Sequence, residues 1–172
     1  MKLQGIFKKR TLAEYLIYSL VILGGIGLDA LTKWLATVFL KPIDTQPIIE
    51  GVIHLTYHEN TGAAFGMLKD APWVFNTVST VAILAMLVYL YLGHISSRLQ
   101  AVSVAMIISG GIGNMIERLG QGYVVDFIDF RLINFAIFNG ADSFVCVGAG
   151  LLILGLILEV VRESRKARGE EK

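Results

Sequence analysis

The chain has 172 residues, of which 55% are hydrophobic and 17% are charged, and its mean hydropathy is +0.65. A folded core of this length cannot bury so much apolar surface, so the composition excludes an ordinary soluble domain and a disordered chain and favours a membrane protein. The formal net charge of +1 gives no basic field of the kind that binds nucleic acid, and no nucleic-acid partner is expected.

Four apolar segments are long enough to be membrane-spanning helices. A hydrocarbon core of about 30 Å needs roughly 20 helical residues at 1.5 Å each, and the segments cover about 15–40, 71–93, 99–116 and 141–160. Because no repeat or low-complexity segment divides the chain, we expect one integral membrane domain over residues 1–172. The first segment is too long for the apolar part of a cleaved secretory signal, so we expect it to be retained.

The distribution of Lys and Arg predicts the orientation of these segments. Under a four-span arrangement, ten basic residues fall on one side: Lys2, Lys8, Lys9, Arg10, Arg98, Arg162, Arg165, Lys166, Arg168 and Lys172. The other side receives four: Lys41, Lys69, Arg118 and Arg131. Because cytoplasmic loops carry the excess of basic residues, both termini are expected in the cytoplasm. Two longer segments, about 41–70 and 117–140, are then expected on the outer side.

The first outer segment contains a predicted strand. Apolar and polar side chains alternate over residues 52–58, which is typical of a half-buried strand and predicts a small extramembrane sheet. Residues 60–66 follow with an asparagine, two glycines and other small residues. That composition suits tight turns and close approach of the backbone to a ligand.

Several polar or small residues lie within the apolar segments. Asp29 and Lys33 are spaced i, i+4, so they share a helix face, and their ordinary interpretation is an ion pair whose lysine reaches toward the interface. Residues 109–114 contain three glycines, which is typical of close helix packing in membranes. Arg118 follows near the helix end, where a cation interacts favourably with the helix dipole.

Two aspartates are predicted at the outer interface. Asp126 lies in the apolar stretch 123–127 and Asp142 lies at the start of the fourth segment. Taken singly, Asp126 fits an exposed loop acid and Asp142 fits a helix N-cap. Taken together, two carboxylates in a low-dielectric site share one proton, so that one serves as a base toward water. Asp129 competes with Asp126 for this role, and spacing does not choose between them.

Other hydrolytic sites find little support. His58 and Glu59 begin like a zinc-protease motif, but Gly62 occupies the position of the second histidine. No Gly-x-Ser-x-Gly nucleophile motif is present. The single cysteine, Cys146, excludes an intrachain disulfide and a multi-cysteine metal site, and we interpret it as a packing residue.

In these motifs the chain resembles the lipoprotein signal peptidases, also called signal peptidase II, which are membrane aspartyl peptidases of bacteria. The resemblance covers most of the chain. It rests on five motifs in order: DALTK at 29–33, NTGAAFG at 60–66, GGIGN at 110–114 with Arg118, VVDF at 124–127 and FNGADS at 138–143.

The resemblance implies a reaction and a set of site residues. It implies that Asp126 and Asp142 are the catalytic pair, which decides against Asp129, and that they activate a water without metal or cofactor. The implied substrate is a prolipoprotein that is cut just before a cysteine carrying diacylglycerol. Positions that match substrate-binding residues are Asn60, Gly62, Asn114, Arg118, Asn139 and Ala141, and Asp29 with Lys33 match a supporting pair.

The resemblance also implies an architecture and further partners. The expected fold is an all-α membrane protein with four transmembrane helices, and a small β-sheet and a short helix on the outer, periplasmic side. The expected location is the bacterial plasma (inner) membrane, and the expected partners include membrane lipid and the peptide antibiotic globomycin. Glu117 departs from the family, which usually has Asp there; we expect a small adjustment near Arg118 and no loss of activity.

A non-catalytic four-helix membrane protein, such as a small transporter subunit or lipid-binding scaffold, is the alternative. A transporter usually has ionisable residues or broken helices near the bilayer midplane, whereas the second and fourth segments are apolar through their centres. Another intramembrane aspartyl protease type would have its acids deeper in the helices, and the interfacial placement argues against it.

Overall fold

The computed structural model describes residues 10–62, 72–93, 95 and 97–169. In chain order the elements are α1 (Leu12–Phe39), β1 (Thr45–Ile49), β2 (Ile53–Asn60), α2 (Pro72–Tyr91), α3 (Arg98–Gln121), β3 (Val124–Asp129), a 3-10 helix (Arg131–Ile133) and α4 (Gly140–Ala167). Outside the described residues lie part of the glycine-containing motif, 63–66, and five of the basic residues used for orientation: Lys2, Lys8, Lys9, Lys69 and Lys172.

The predicted fold class is confirmed over the described part of the chain. There, four α helices are long and apolar enough to cross a membrane, and three strands form an antiparallel sheet in the order β1-β2-β3. The 3-10 helix follows β3 directly and is the expected short helix. In α3, 61% of the apolar stretch is buried, against 22% or less in the other three helices, so α3 is the central helix.

Two helices run past their predicted ends. α3 continues from residue 116 to Gln121, into the expected outer segment, and α4 continues from residue 160 to Ala167. The prediction ended both helices at charged residues, but charge ends an apolar run without ending a helix. α3 stops instead before Gly122, whose left-handed backbone (φ 84°) is the conformation that glycine provides at helix C-termini.

α1 begins at a capping box in which Thr11 and Glu14 satisfy each other's backbone N–H groups. Its buried residues recur every three or four positions and so form one stripe: Tyr18, Ile22, Gly25, Asp29, Lys33 and Ala36. Many large apolar side chains on its other faces are exposed, as suits contact with lipid acyl chains. The stripe therefore carries Asp29 and Lys33 into the interior of the bundle.

Glycines in α3 allow its neighbours to approach closely. A Cβ atom on Gly113 would lie 2.6 Å from Asp29 Oδ2, and one on Gly110 would collide with the carbonyl oxygen of Ala141. These two positions therefore let α1 and the start of α4 rest against α3 where the polar residues gather. This is the close helix packing expected of the glycine-rich stretch.

The sheet packs beside the same end of the bundle. Leu55 and Tyr57 pack against a small cluster formed by Ala36 and Leu40 of the α1 end and by Val125 of β3. The opposite face of β2 carries Asn60, which pairs in register with Val124, and His58, which pairs with Asp126. The alternation seen in the sequence thus separates an apolar face from a polar face.

Replacing Gly113 by alanine tests this packing. We expect Gly113→Ala to lower the free energy of unfolding by about 1–3 kcal/mol, because the new methyl group overlaps the Asp29 carboxylate. Gly120→Ala is the matched control on the same helix, because a Cβ there meets no atom within 4 Å. Thermal unfolding in detergent, followed by circular dichroism, compares the two. Equal stability of both variants would contradict the close approach.

Candidate active site

Asp126 lies in the middle of β3 and is only 1% exposed. Its Oδ2 accepts a hydrogen bond from Asn60 Nδ2 at 2.8 Å, and its Oδ1 accepts one from Asn139 Nδ2 at 2.6 Å. The interpretation of Asp126 as an exposed loop acid is therefore wrong. The sheet register carries this carboxyl group inward, where two side-chain amides hold its oxygens.

Asp142 lies in the first turn of α4, but it is not the N-cap. Asn139 is the N-cap: its Oδ1 accepts from the Asp142 N–H at 3.0 Å, while Asp142 Oδ2 accepts from the Asn139 N–H at 3.2 Å. Asp142 is thus the third residue of a capping box, in which an acid completes the cap from inside the helix. Its Oδ1 accepts from Asn114 Nδ2 at 2.8 Å.

Two asparagines join the two acids into one network. Asn139 Nδ2 contacts both Asp126 Oδ1 and Asn114 Oδ1, the latter at 3.0 Å, and Asn114 in turn binds Asp142. Asn114 and Asn139 are both buried. Because an ionised carboxylate accepts hydrogen bonds at both oxygens, these amide donors orient both carboxyl groups.

Burial is the main cause that raises the pKa of Asp126, to about 6, and the negative charge of Asp142 acts in the same direction. The hydrogen bonds from Asn60 and Asn139 oppose the increase in pKa because they stabilise the charged form. A carboxyl group with a pKa near 6 can hold or release a proton close to neutral pH, which an exposed aspartate does not do.

Asp129 is in a different environment. Its Oδ2 accepts from Arg131 Nε at 2.9 Å and from Thr56 Oγ1 at 2.9 Å. Burial alone would raise the pKa of Asp129, but these two hydrogen bonds and the Arg131 charge outweigh it and lower that pKa. The structure therefore brings Asp126, and not Asp129, to the polar network of Asp142.

A buried lysine lies behind the two acids. Lys33 Nζ is 2.8 Å from Asp29 Oδ2, 2.8 Å from Asn114 Oδ1 and 3.1 Å from Glu117 Oε2, and its side chain is 3% exposed. The ion pair predicted for Asp29 and Lys33 is present, but the expectation that the lysine reaches toward the interface is wrong. Three acceptors inside the bundle hold the ammonium instead.

The other predicted site residues take different positions. Asn60 and Arg118 line a cavity beside the acids. Gly62 contacts Arg118, whose Nη2 lies 3.3 Å from the Gly62 carbonyl oxygen. Ala141 is fully buried, and its N–H donates to Asp29 Oδ1 at 2.8 Å, so it anchors the start of α4 to α1.

Phe75 of α2 is a residue that the sequence reasoning missed. Its ring lies 4.8 Å from the guanidinium carbon of Arg118, which places the cation over the aromatic face. Nothing in the sequence distinguishes this phenylalanine from its apolar neighbours, because the contact depends on how α2 packs beside α3.

The cavity has a volume of about 500 Å³ and is polar at one end and apolar along its walls. Asp126 and Asp142 lie at the polar end with Asn60 and Arg118, and the remaining lining residues are Phe135, Ala136, Ile137, Phe138, Ser143, Val145, Cys146 and Val147.

The expectation that Cys146 is a packing residue is wrong, because it is exposed and lines this cavity. Among the described residues, no group of three or more His, Cys, Asp or Glu is arranged to hold a metal ion.

The fold and this site define a class of protein, a helical membrane protein in which two aspartates line a mostly apolar cavity. Comparisons with known proteins go further. The family model for signal peptidase (SPase) II matches residues 20–158. A lipoprotein signal peptidase of Halalkalibacterium halodurans is 38% identical over 91% of this chain and 99% of its own length. One from Caldanaerobacter subterraneus is 47% identical over 76% of this chain and 88% of its own length.

A solved structure of a bacterial membrane enzyme matches with a TM-score of 0.76 and 26% identity, over 98% of each chain. The chain belongs to the signal peptidase II family. It is therefore a multi-pass membrane peptidase that removes signal peptides from prolipoproteins, and its partners are those lipoprotein substrates and membrane lipid. The transporter and scaffold alternatives find no support.

The pKa of Asp126 predicts a pH-dependent stability. The folded protein holds this proton up to about pH 6, whereas an unperturbed aspartate loses it near 3.8. The free energy of unfolding should therefore fall by about 2 kcal/mol as the pH rises from 4 to 7. Because Asp126→Asn lacks this titration, the Tm of the parent minus that of the variant should decrease over the interval.

Asp129→Asn provides the control for this experiment. The pKa of Asp129 is lowered in the folded protein, so its contribution is present above the unfolded pKa and is lost as the pH falls below it. The parent-minus-variant Tm for Asp129→Asn should therefore rise with pH and then stay level above about pH 4. A difference for Asp126→Asn that does not change between pH 4 and 7 would contradict the raised pKa.

Proposed function

We propose that this protein is an aspartyl endopeptidase in which Asp126 and Asp142 cut the prolipoprotein just before its diacylglyceryl-modified cysteine. The observation that carries the proposal is the amide network in which Asn139 binds both Asp126 and Asn114, and Asn114 binds Asp142. Both carboxyl groups of this network line the cavity of about 500 Å³, and in the proposed site one water lies between them.

In the proposed reaction the two acids share one proton. The ionised carboxylate takes a proton from a water as the water oxygen attacks the scissile carbonyl carbon, and the protonated acid donates its proton to the carbonyl oxygen. The tetrahedral intermediate then collapses and the C–N bond breaks. The leaving nitrogen receives a proton from the carboxyl group that first acted as base, while the other carboxylate takes a proton from one hydroxyl of the intermediate, so that a carboxylic acid product forms and the pair again holds one proton. A pKa of Asp126 near 6 supports a singly protonated pair close to neutral pH.

The remaining site residues divide into two groups. Asn60, Gly62 and Arg118 contact the substrate, with Arg118 held between the Gly62 carbonyl group and the Phe75 ring. Asn114 and Asn139 orient the acids, and Ala141 shapes the site through its backbone, which Asp29 anchors. Lys33 supports the whole arrangement. The apolar wall of the cavity accepts the lipid-modified region, so binding far from the cut bond contributes orientation.

The protein acts in the plasma membrane of a bacterium, as one domain, with both termini in the cytoplasm and the acids at the outer face. Contacts among the described residues support this orientation: Arg10 donates to the Ile95 carbonyl oxygen at 2.7 Å, and Gln100 donates to Glu159 at 2.7 Å. The start of α1, the α2–α3 turn and the inner part of α4 thus meet at the basic end, away from the sheet. Globomycin, as a peptide antibiotic, inhibits by occupying the cavity of the two acids.

Substitution of either acid tests the proposal. We expect Asp126→Asn and Asp142→Asn to lower the rate of cleavage of a diacylglyceryl-modified prolipoprotein by at least about 10³-fold, because an amide neither accepts nor donates the required proton. Purified parent and variants are compared in detergent with a metal chelator present throughout. Membrane accumulation and Tm of each variant show that the protein has folded.

Asp129→Asn is the matched control. Asp129 lies on the same strand as Asp126, but its carboxylate is paired with Arg131. It should keep most of the activity of the parent. Substantial turnover by Asp126→Asn or Asp142→Asn would remove that residue from the catalytic pair. Loss of parent activity on addition of the chelator would overturn the metal-independent mechanism.

A further inference from the structure

Glu117 joins three elements beside the site through one carboxylate. Its Oε2 lies 3.1 Å from Lys33 Nζ of α1 and accepts from the Val125 N–H of β3 at 3.0 Å. Its Oε1 accepts from Gln121 Nε2, one turn along α3, at 3.2 Å. The side chain is 19% exposed, so solvent competes weakly for these contacts.

The contact with Val125 occurs at the edge of β3 that does not pair with β2. Successive N–H groups of a strand alternate in direction, so those not directed at β2 need partners elsewhere. Val125 N–H finds the Glu117 carboxylate, and Phe127 N–H finds the Phe138 carbonyl oxygen at 3.0 Å. Glu117 is therefore the side-chain partner that attaches this part of β3 to α3.

That attachment lies one residue before Asp126. The Val125 side chain packs with Ala36 and Leu40, so the Asp126 side chain, on the opposite face of the strand, extends toward Asn60 and Asn139. A shift of the Val125 backbone relative to α3 would move the Asp126 carboxyl group by a similar distance. Asp142 belongs to α4 and binds Asn114 of α3, so a shift of β3 would not carry it along.

We infer that Glu117 is a positioning residue for cleavage, which holds β3 at the depth where Asp126 and Asp142 act on the same water. The inference rests on the proposed role of Asp126. Glu117 is not among the described residues that line the cavity of Asp126 and Asp142. Its role is therefore to position Asp126 and not to contact the substrate.

Glu117 also acts on the charge around Asp126. The charged and titratable groups around Asp126 are Asp142 from α4, Lys33 from α1, Arg118 from α3 and His58 opposite it on β2, and Glu117 contacts the Lys33 ammonium. The positive charge of Lys33 lowers the pKa of Asp126, and Glu117 neutralises part of that charge. Removing the Glu117 charge should therefore strengthen the effect of Lys33 and bring the pKa of Asp126 down from about 6 toward its ordinary value.

The experiment measures kcat and KM for a diacylglyceryl-modified prolipoprotein between pH 5 and 8. The proteins are the parent, Glu117→Gln, Glu117→Ala and Glu117→Asp, with Glu163→Gln as an exposed control at the far end of α4. Glu117→Gln keeps an acceptor for Val125 but loses the charge, whereas Glu117→Ala loses both. Each rate is divided by the amount of folded protein. That amount is taken from the monodisperse peak in size-exclusion chromatography, and the Tm of the peak fraction shows that it is folded.

We expect Glu117→Ala to lower kcat by about 100-fold and Glu117→Gln by about tenfold, with KM within about threefold of the parent, because the acid is displaced while the cavity is kept. The alkaline limb of the rate profile for Glu117→Gln should move to lower pH. Glu117→Asp, which keeps the charge, should retain kcat within a fewfold and keep the position of that limb.

Three results would overturn the inference. One is a lower Tm of the Glu117 variants with an unchanged kcat and pH profile per folded protein, which would indicate a purely structural role. Another is a raised KM with an unchanged kcat, which is a substrate contact. The third is that Glu117→Gln has the same kcat and KM as the parent at every pH. Asp126→Asn is run in parallel: if it cleaves, the proposed catalytic pair fails and this inference with it, whereas if it is inactive only the positioning role of Glu117 is in question.

Discussion

Lys33 carries a positive charge into the interior of the helix bundle, where the ammonium group has no access to bulk water. An ammonium has three hydrogens to donate, and Asp29, Asn114 and Glu117 each accept one. Each acceptor then reaches a different part of the site. Asp29 binds the Ala141 N–H, Asn114 binds Asp142, and Glu117 binds the Val125 N–H beside Asp126.

This arrangement determines which residues the surrounding structure must provide. A buried charge without partners costs several kcal/mol, so α3 has to supply acceptors at the level of Lys33. It also has to allow α1 close enough, which the absence of a side chain at Gly113 permits. The start of α4 is drawn in by the same contacts. The two acids are thus placed by a network whose centre lies behind them and not by the substrate cavity itself.

Four carboxyl groups, those of Asp29, Glu117, Asp126 and Asp142, gather at this end of the bundle with two cations, Lys33 and Arg118. Burial raises the pKa of Asp126, and the negative charge of Asp142 acts in the same direction. Burying Asp126 therefore costs stability at neutral pH. That cost is typical of a site whose residues are arranged for chemistry and not for stability.

The sequence predicted the features that depend on local pattern. Apolar runs long enough to span a bilayer predicted the four helices, and alternation over residues 52–58 predicted the strand β2. The end of α3 was predicted too early, at the charged residues Glu117 and Arg118. The helix continues through both, because Glu117 pairs with Lys33 and Arg118 donates to the Gly62 carbonyl oxygen.

The features that sequence patterns missed depend on tertiary contacts. Spacing does not distinguish Asp126 from Asp129, since the difference lies in the contacts of Asp126 with Asn60 and Asn139, which belong to other elements. The burial of Lys33 and the contact of Phe75 with Arg118 arise only when α1 and α2 pack on α3. Spacing alone indicates which residues share a helix face, but not what that face meets.

The central claim is that Asp126 and Asp142 share one proton during cleavage. The most direct test is the dependence of kcat/KM on pH, between pH 4 and 9, for the parent enzyme with a chelator present. A shared proton predicts a bell-shaped profile whose two limbs belong to the pair, with an apparent pKa near 6 for one of them. A rate that is level across this range, or that rises steadily to pH 9 without an alkaline limb, would contradict it.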